Sequence, residues 1–449
     1  MSALRRATCL AMAASAMLCV VALRHHFVWG AGHPVLGVEL HVWLGIGEGL
    51  GLVAFTLLGA VALRRAIATA ESASTAALLQ ASIFVALAAA LVPPMLSSDV
   101  FDYIARGRVE AHYGHNPYLV APAAIAKGDP VLALAEWPRF VMPYGPVSAL
   151  AQAMCAAASG SIPWLGVYLF KLLCAAAHVA TGWLLLRAAP TATARSVAAL
   201  WWFHPWILLE SCGSGHNEAL LALALAWMLE RLARDRWLAA TFAFGLAVLT
   251  KHGCAPLGPV LLALAIRQRR VRPFLLGVGL TAGVTALFAW RYFLEPGSLE
   301  FLSKQTGNRG ASLQHFSGLL AGPSAAQPLL VAGYAVAIAA LAIACSRART
   351  LESFASCGIG LSVAFIVVAM PLFSPWYHLW WAPLVAMLPW THPGARALRA
   401  LVWLGPLSYA VYAVTRDLDL PHQIWAWSTA CAVPAVIALS RTKAQPAVA

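Results

Sequence analysis

Long apolar runs broken by short polar ties dominate this chain. The runs fall at about 7–28, 36–63, 75–96, 163–187, 192–210, 217–231, 237–250, 254–266, 273–293, 326–345, 352–373, 379–391, 397–415 and 424–440. Most are long enough, at roughly 20 residues of helix, to cross a bilayer. Between them the arginines recur in clusters: Arg5-Arg6, Arg64-Arg65, Arg231 to Arg236, Arg267 to Arg272, Arg347 and Arg349, Arg396 and Arg399. Placing these clusters on the cytoplasmic side fixes the orientation of each run. The pattern predicts about 13–14 transmembrane helices with both ends inside. The N-terminal run reads as an uncleaved first helix, not as a removable signal peptide.

The pattern breaks once at length. Ser97 to Tyr118, SSDVFDYIARGRVEAHYGHNPY, follows directly on the third run. An odd number of crossings delivers it to the outer face. The polar stretch continues to Tyr144-Gly145-Pro146, where an apolar segment, 146–160, follows. That segment is short for a crossing, and a crossing there would put Arg187 outside. It is expected to lie along the outer interface. The remaining outer tips are Glu210–Glu218, Lys251-His252, Leu294–Ala325, Ser374–Trp381 and Arg416–His422.

Composition agrees with this layout. Of 449 residues, 61% are hydrophobic and 10% charged, against about 25% charged in soluble proteins. The chain is therefore expected to be a single integral-membrane domain over 1–449: first spans at 7–96, an external loop at 97–160, and remaining spans at 163–440. The net charge of +13 sits in the clusters that set topology. It points to membrane lipids and not to nucleic acid. Nine cysteines without a CxxC pair read as small core residues.

Chemistry must then come from helix ends and loops. Asp99 and Asp102 are three apart, on a helical stripe with Arg106 and Glu110. Asp102–Arg106 and Arg106–Glu110 can pair, which leaves Asp99 as the better general base. The same letters also fit a salt-laced surface helix capped by Ser98 or Asp99. Tyr103 lies on this helix; Asn116 and Tyr118 belong to a turn, and Tyr144 closes the loop. His216, Asn217 and Glu218 offer a base, an amide and a carboxylate, and fit helix capping equally well. Lys251-His252 places a cation on the outer face, where an anionic phosphate would want it. Lys171 and Arg106 are further phosphate ligands by charge. Arg309 and His315 sit in a Gly-containing loop suited to an acceptor. Trp376, Tyr377 and His378 offer rings for sugar stacking, or an aromatic belt. Glu39, His41 and Glu48 lie within the second run.

Together these segments resemble the GT-C superfamily of integral-membrane glycosyltransferases. Within it the chain is similar to bacterial polyprenyl-phosphate-mannose-dependent α-mannosyltransferases. The carriers are SSDVFDYIARGR at the end of a span, the Asn116-Pro117-Tyr118 turn, and Trp137 separated by six residues from Tyr144-Gly145-Pro146; GHNE at 215–218 and Lys251-His252 follow in order. The resemblance implies an all-α, GT-C type polytopic bundle with interfacial helices in the first external loop. It implies a catalytic Asp99, with Asp102 second, and a donor that is a polyprenyl-phosphate sugar, mannose by analogy. It implies inverting transfer to a cell-envelope glycan or lipid at the periplasmic face of the bacterial inner membrane. No cofactor is certain. A divalent cation, Mg or Mn, is an open expectation, with Asp99 and Glu218 as its ligands. A lipid-linked glycan flippase, or a related ligase or polymerase, is the alternative expectation.

Overall fold

In a computed structural model, residues 2–30, 38–125, 128–300, 322–370 and 374–416 are described. Among them every regular element is helical. The order is α1 (Ala3–Gly30), α2 (Val38–Ala70), α3 (Thr75–Leu91), α4 (Asp99–Ala111), α5 (Pro122–Ile125), α6 (Pro146–Ser159), α7 (Pro163–Ala188), α8 (Ala194–Phe203) and α9 (Pro205–Leu208). A π-turn, Leu209–Gly213, leads to α10 (Glu218–Ala233), α11 (Trp237–Thr250), α12 (Leu257–Arg267) and α13 (Val271–Tyr292). Then come α14 (Pro323–Arg347), α15 (Leu351–Ala364) and α16 (Pro393–Arg416).

The sequence sets most of these boundaries locally. Ser74 caps α3, its hydroxyl accepting from the Ala77 amide at 3.2 Å, and Pro93-Pro94 forbids further helix after Val92. Proline opens α6 and α7 at the first turn, where no amide partner is needed. Thr350 and Ser353 form a reciprocal capping box at the start of α15.

Among the described residues, six helices are long and apolar enough to cross a membrane: Ala3–Ala22, Gly45–Ala70, Pro163–Ala188, Val271–Tyr292, Gln327–Arg347 and Leu351–Ala369. The apolar helices Thr75–Leu91, Trp237–Thr250 and Leu257–Arg267 are shorter. The chain is thus an all-α polytopic bundle. Two expected spans take another form. The run at 192–210 is broken at His204-Pro205 into α8, α9 and the π-turn. The run at 379–391 forms no α-helix; Pro375–Trp380 and Ala382–Met387 are 3₁₀ turns, with Pro375, Pro383 and Pro389 interrupting helix continuation. The expected span at 424–440 lies outside the described residues.

The ends of α7 and α10 differ chemically. Arg187 of α7 meets the buried Glu230 of α10 at 3.2 Å, and Arg234 reaches the same carboxylate at 2.8 Å. Arg270 pairs with Asp235, and Arg267 donates to the Ala348 carbonyl at 2.9 Å. These contacts gather the arginine-rich ends of α7, α10, α12 and α14. The opposite ends of α7 and α10, with the C-terminus of α11, meet α4 and α6. Leu275, Leu280, Leu287 and Trp290 of α13, and Val331, Ile338 and Ile343 of α14, stay exposed, as lipid-facing positions do.

Candidate active site

The polar end of the bundle is built on close backbone approach. α4 lies against α6 at Gly107, where a Cβ would stand 2.3 Å from the Gln152 carbonyl oxygen. Gly145 fits in the same way beneath the end of α11, where a Cβ would meet the Leu249 carbonyl at 2.1 Å; its amide donates to the Thr250 carbonyl at 3.1 Å. The Tyr-Gly-Pro turn is thereby fastened to the residue before Lys251. This contact sets Tyr144 over the lysine.

Lys251 occupies an aromatic cage. Its Nζ stands 5.0 Å from the ring centres of both Tyr144 and Tyr377 and 5.9 Å from Trp380. It also forms an ion pair with Glu218, the first residue of α10, whose side chain is fully buried. Burial acts against the ammonium, but Glu218, then Tyr377 and Asp99, outweigh it and hold its pKa above the ordinary lysine value. Trp380 packs flat enough on Gly253 that a Cβ there would strike its indole at 2.2 Å.

Asp99 opens α4 and is partly exposed. The Tyr103 hydroxyl donates to its Oδ2 at 3.2 Å, and the Tyr103 ring packs edge-on against Tyr144 at 5.3 Å. Asp99, Tyr103, Tyr144, Lys251 and Glu218 therefore form one continuous cluster.

Asp102 does different work. It is 1% exposed and accepts from the Glu136 and Trp137 amides at 3.1 and 2.9 Å. Burial pushes its carboxyl up to about 7, offset in part by Arg106, which lies 3.8 Å away, and reinforced by the Asp99 charge. Arg106 donates to the Phe140 and Trp137 carbonyls, both at 3.3 Å. The pair clamps the 136–140 loop and presents no free guanidinium to a phosphate. The expected Arg106–Glu110 pair does not form; Glu110 pairs instead with Arg291 and accepts from the Tyr292 hydroxyl at 2.9 Å.

Other predicted residues divide similarly. Lys171 is completely buried and donates to the Val92 carbonyl, so it braces the end of α3. Asn116 donates to the Tyr292 carbonyl at 2.7 Å, and Tyr118 to the Tyr144 carbonyl at 2.8 Å; both hold the loop. Asn217 is fully buried and donates to Ser148 at 3.0 Å. His378 accepts from Trp381 Nε1 at 3.1 Å. His252 is exposed. Arg309 and His315 lie outside the described residues, as do the side chains of Glu39 and His41. Glu48 is buried in α2.

His216 is fully buried, with its Nδ1 2.9 Å from Glu210 and its Nε2 3.1 Å from Ser97 Oγ. Its ring stacks on Trp376 at 3.9 Å. Glu210, Ser97 and Trp380 were not among the residues expected to carry the site. Glu210 carried a signal, as an ionisable side chain at the end of an apolar run.

Among the described residues, no three or more His, Cys, Asp and Glu side chains group as a metal ion would need. Glu218 Oε1 is paired with Lys251, so a cation held between Asp99 and Glu218 would compete with that ammonium.

Beside the cluster runs an apolar groove of about 600 Å³ between α6, α7, α10 and α11. Val147, Leu220 and Thr250 line it, and each lies within three residues of Tyr144, Glu218 or Lys251.

Residues 7–267 match the family model described as alpha-(1->6)-mannopyranosyltransferase, N-terminal domain. Alpha-(1->6)-mannopyranosyltransferase A of Mycobacterium tuberculosis is 26% identical over 93% of this chain and 84% of its own length. Alpha-(1->6)-mannopyranosyltransferase B of Corynebacterium glutamicum is 26% identical over 74% of this chain and 61% of its own. A probable alpha-(1->6)-mannopyranosyltransferase of Mycolicibacterium smegmatis is 25% identical over 70% and 65%. No solved structure matches.

Proposed function

The chain belongs to the alpha-(1->6)-mannopyranosyltransferase family, and on that premise we propose that it moves mannose from a polyprenyl-phosphate donor to a cell-envelope glycan or lipid, forming an α-(1→6) bond. The observation that carries this reading is the caged Lys251 joined through Tyr144 and Tyr103 to Asp99. One end of the cluster suits an anionic leaving group. The other suits a hydroxyl that must lose a proton.

The step is a single displacement. The acceptor oxygen bonds to the anomeric carbon as the bond to the phosphate oxygen breaks, with inversion. Asp99 takes the acceptor's proton. Lys251 meets the negative charge growing on the phosphate, and polyprenyl phosphate leaves. Tyr144, Tyr377 and Trp380 exclude water around the ammonium, which strengthens its field.

The groove supports a lipid-borne donor. It begins beside the phosphate end of the cluster and is almost wholly apolar, as an isoprenoid chain requires. The arginine-rich ends opposite the cluster support an extracytoplasmic site in the bacterial inner membrane.

The test is transfer from radiolabelled polyprenyl-phosphate mannose to a cell-envelope acceptor extract by the purified full-length protein, with and without chelator. Labelled product is expected from this donor and none from a nucleotide sugar. Failure with the lipid donor alongside success with the nucleotide sugar overturns the reading. The chelator arm reads the metal requirement directly.

A further inference from the structure

The chain enters α4 through a strained turn. Leu96 has φ +35°, in the left-handed region that a side chain makes costly. The Ser97 amide turns back onto the Met95 carbonyl. Such a conformation persists where surrounding contacts over-determine it. It stands three residues before Asp99.

A buried chain of polar groups ends on this turn. His216 Nδ1 lies 2.9 Å from Glu210 as a close charge contact, out of line for a hydrogen bond. His216 Nε2 and the Ser97 hydroxyl share a hydrogen bond of 3.1 Å. Ser97 Oγ in turn accepts from the Asp99 amide at 3.3 Å. Hydrogen bonds run from His216 Nε2 through Ser97 Oγ to the Asp99 amide, and Glu210 joins them by its charge contact with the imidazole. Glu210 and His216 are fully buried and Ser97 is 7% exposed.

The far end is rigid. Glu210 lies in the π-turn at 209–213, a form found often at functional sites. Its carbonyl accepts from the His216 amide at 3.1 Å, so the loop closes on itself. Gly215, at φ +70°, lets the backbone press against Lys171. Trp376 covers the imidazole face.

We propose that Glu210, His216 and Ser97 form a positioning triad that holds the strained α3–α4 turn and so fixes where Asp99 stands. This rests on the reading of Asp99 as the base. The triad touches neither donor nor acceptor; it acts only through the first turn of α4. Small displacements of a reacting group, near 1 Å, cost about 10²-fold in rate, so the effect belongs in kcat.

The experiment compares full-length wild type, Ser97→Ala, Ser97→Thr, His216→Ala, the Ser97→Ala/His216→Ala double variant and Asp99→Asn, with donor binding measured separately by polyprenyl-phosphate mannose retention. Ser97→Ala is expected to lower kcat about 10- to 100-fold with donor affinity within twofold, and Ser97→Thr, which keeps the hydroxyl, to recover most of the rate. The double variant is expected to be no worse than His216→Ala. If His216→Ala does not fold, the two Ser97 variants carry the test. Ser97→Ala with unchanged kcat beside an inactive Asp99→Asn overturns the triad and leaves the base intact. Full activity in Asp99→Asn overturns the base itself.

Discussion

Glu218 and Lys251 form a buried ion pair in which the first residue of one helix meets the residue after another. The carboxylate has no exposed surface and the ammonium only 9%. Removing one partner strands the other. Lys251→Ala is expected to cost on the order of 3–5 kcal/mol and to abolish donor binding. Lys251→Met with Glu218→Gln removes both charges and is expected to regain most of the lost melting temperature in detergent, with transfer still absent. Recovery of activity in that double variant would show that the cation has no role at the phosphate. Lys251→Arg is expected to bind donor poorly, because the planar guanidinium does not replace a point charge inside three rings.

Asp99 and Asp102 separate cleanly by variant. Asp99→Asn keeps the Tyr103 contact and removes the base. It is expected to lower kcat about 10²- to 10⁴-fold while donor affinity holds. Asp102→Asn is expected to stay within about tenfold of wild type, since Asp102 is spent on the Glu136 and Trp137 amides. Steady-state rates beside donor retention decide between them. Equal losses in the two variants would mean that the loop clamp and the base are not distinct.

The all-α polytopic bundle and the acidic stretch were legible in the sequence because hydropathy and charge act locally. Asp99, His216, Glu218 and Lys251 were legible as polar letters at the ends of apolar runs. What each does was not. D-x-x-D leaves both carboxylates equal on paper, and only the burial of Asp102 beneath the 136–140 loop makes it structural. Lys171 looked like a phosphate ligand by charge, yet its Nζ ends on a backbone carbonyl. Glu210 and Ser97 owe their place to a π-turn and a left-handed Leu96, and neither leaves a periodic trace. The 3₁₀ turns at 375–387 were hidden for a related reason: the hydropathy of a span does not register the prolines that stop a helix.

Asp102 also sets a pH dependence of stability. Its carboxyl is held at about 7 by burial, against 3.8 ordinarily. The native state therefore keeps a proton that the unfolded chain loses, and stability from this group falls as pH rises from about 4 through 7. Asp102→Asn cannot ionise. Its melting temperature relative to wild type is expected to be more favourable at pH 8 than at pH 5. Thermal unfolding in one detergent at both pH values checks this, and an identical difference at the two would place the titration elsewhere.

Gly145 links the loop to the cage, and its substitution tests that link without touching a charged group. A methyl there would sit 2.1 Å from the Leu249 carbonyl oxygen. Backbone atoms do not swing aside as a flexible side chain does, so the Tyr144–Pro146 turn must lift off α11. The cost is expected to be about 1–3 kcal/mol, as for other overpacked sites. The larger consequence is local: lifting the turn takes the Tyr144 ring from its 5.0 Å station over Lys251 and opens the cage to water. Gly145→Ala is therefore expected to lose more in kcat/KM than its melting temperature suggests. Gly114→Ala is the control, since a Cβ there meets nothing within 4 Å and only the backbone strain at φ +68° remains. If both variants lose stability equally and neither loses rate, the seating of Tyr144 on Lys251 does not matter to transfer.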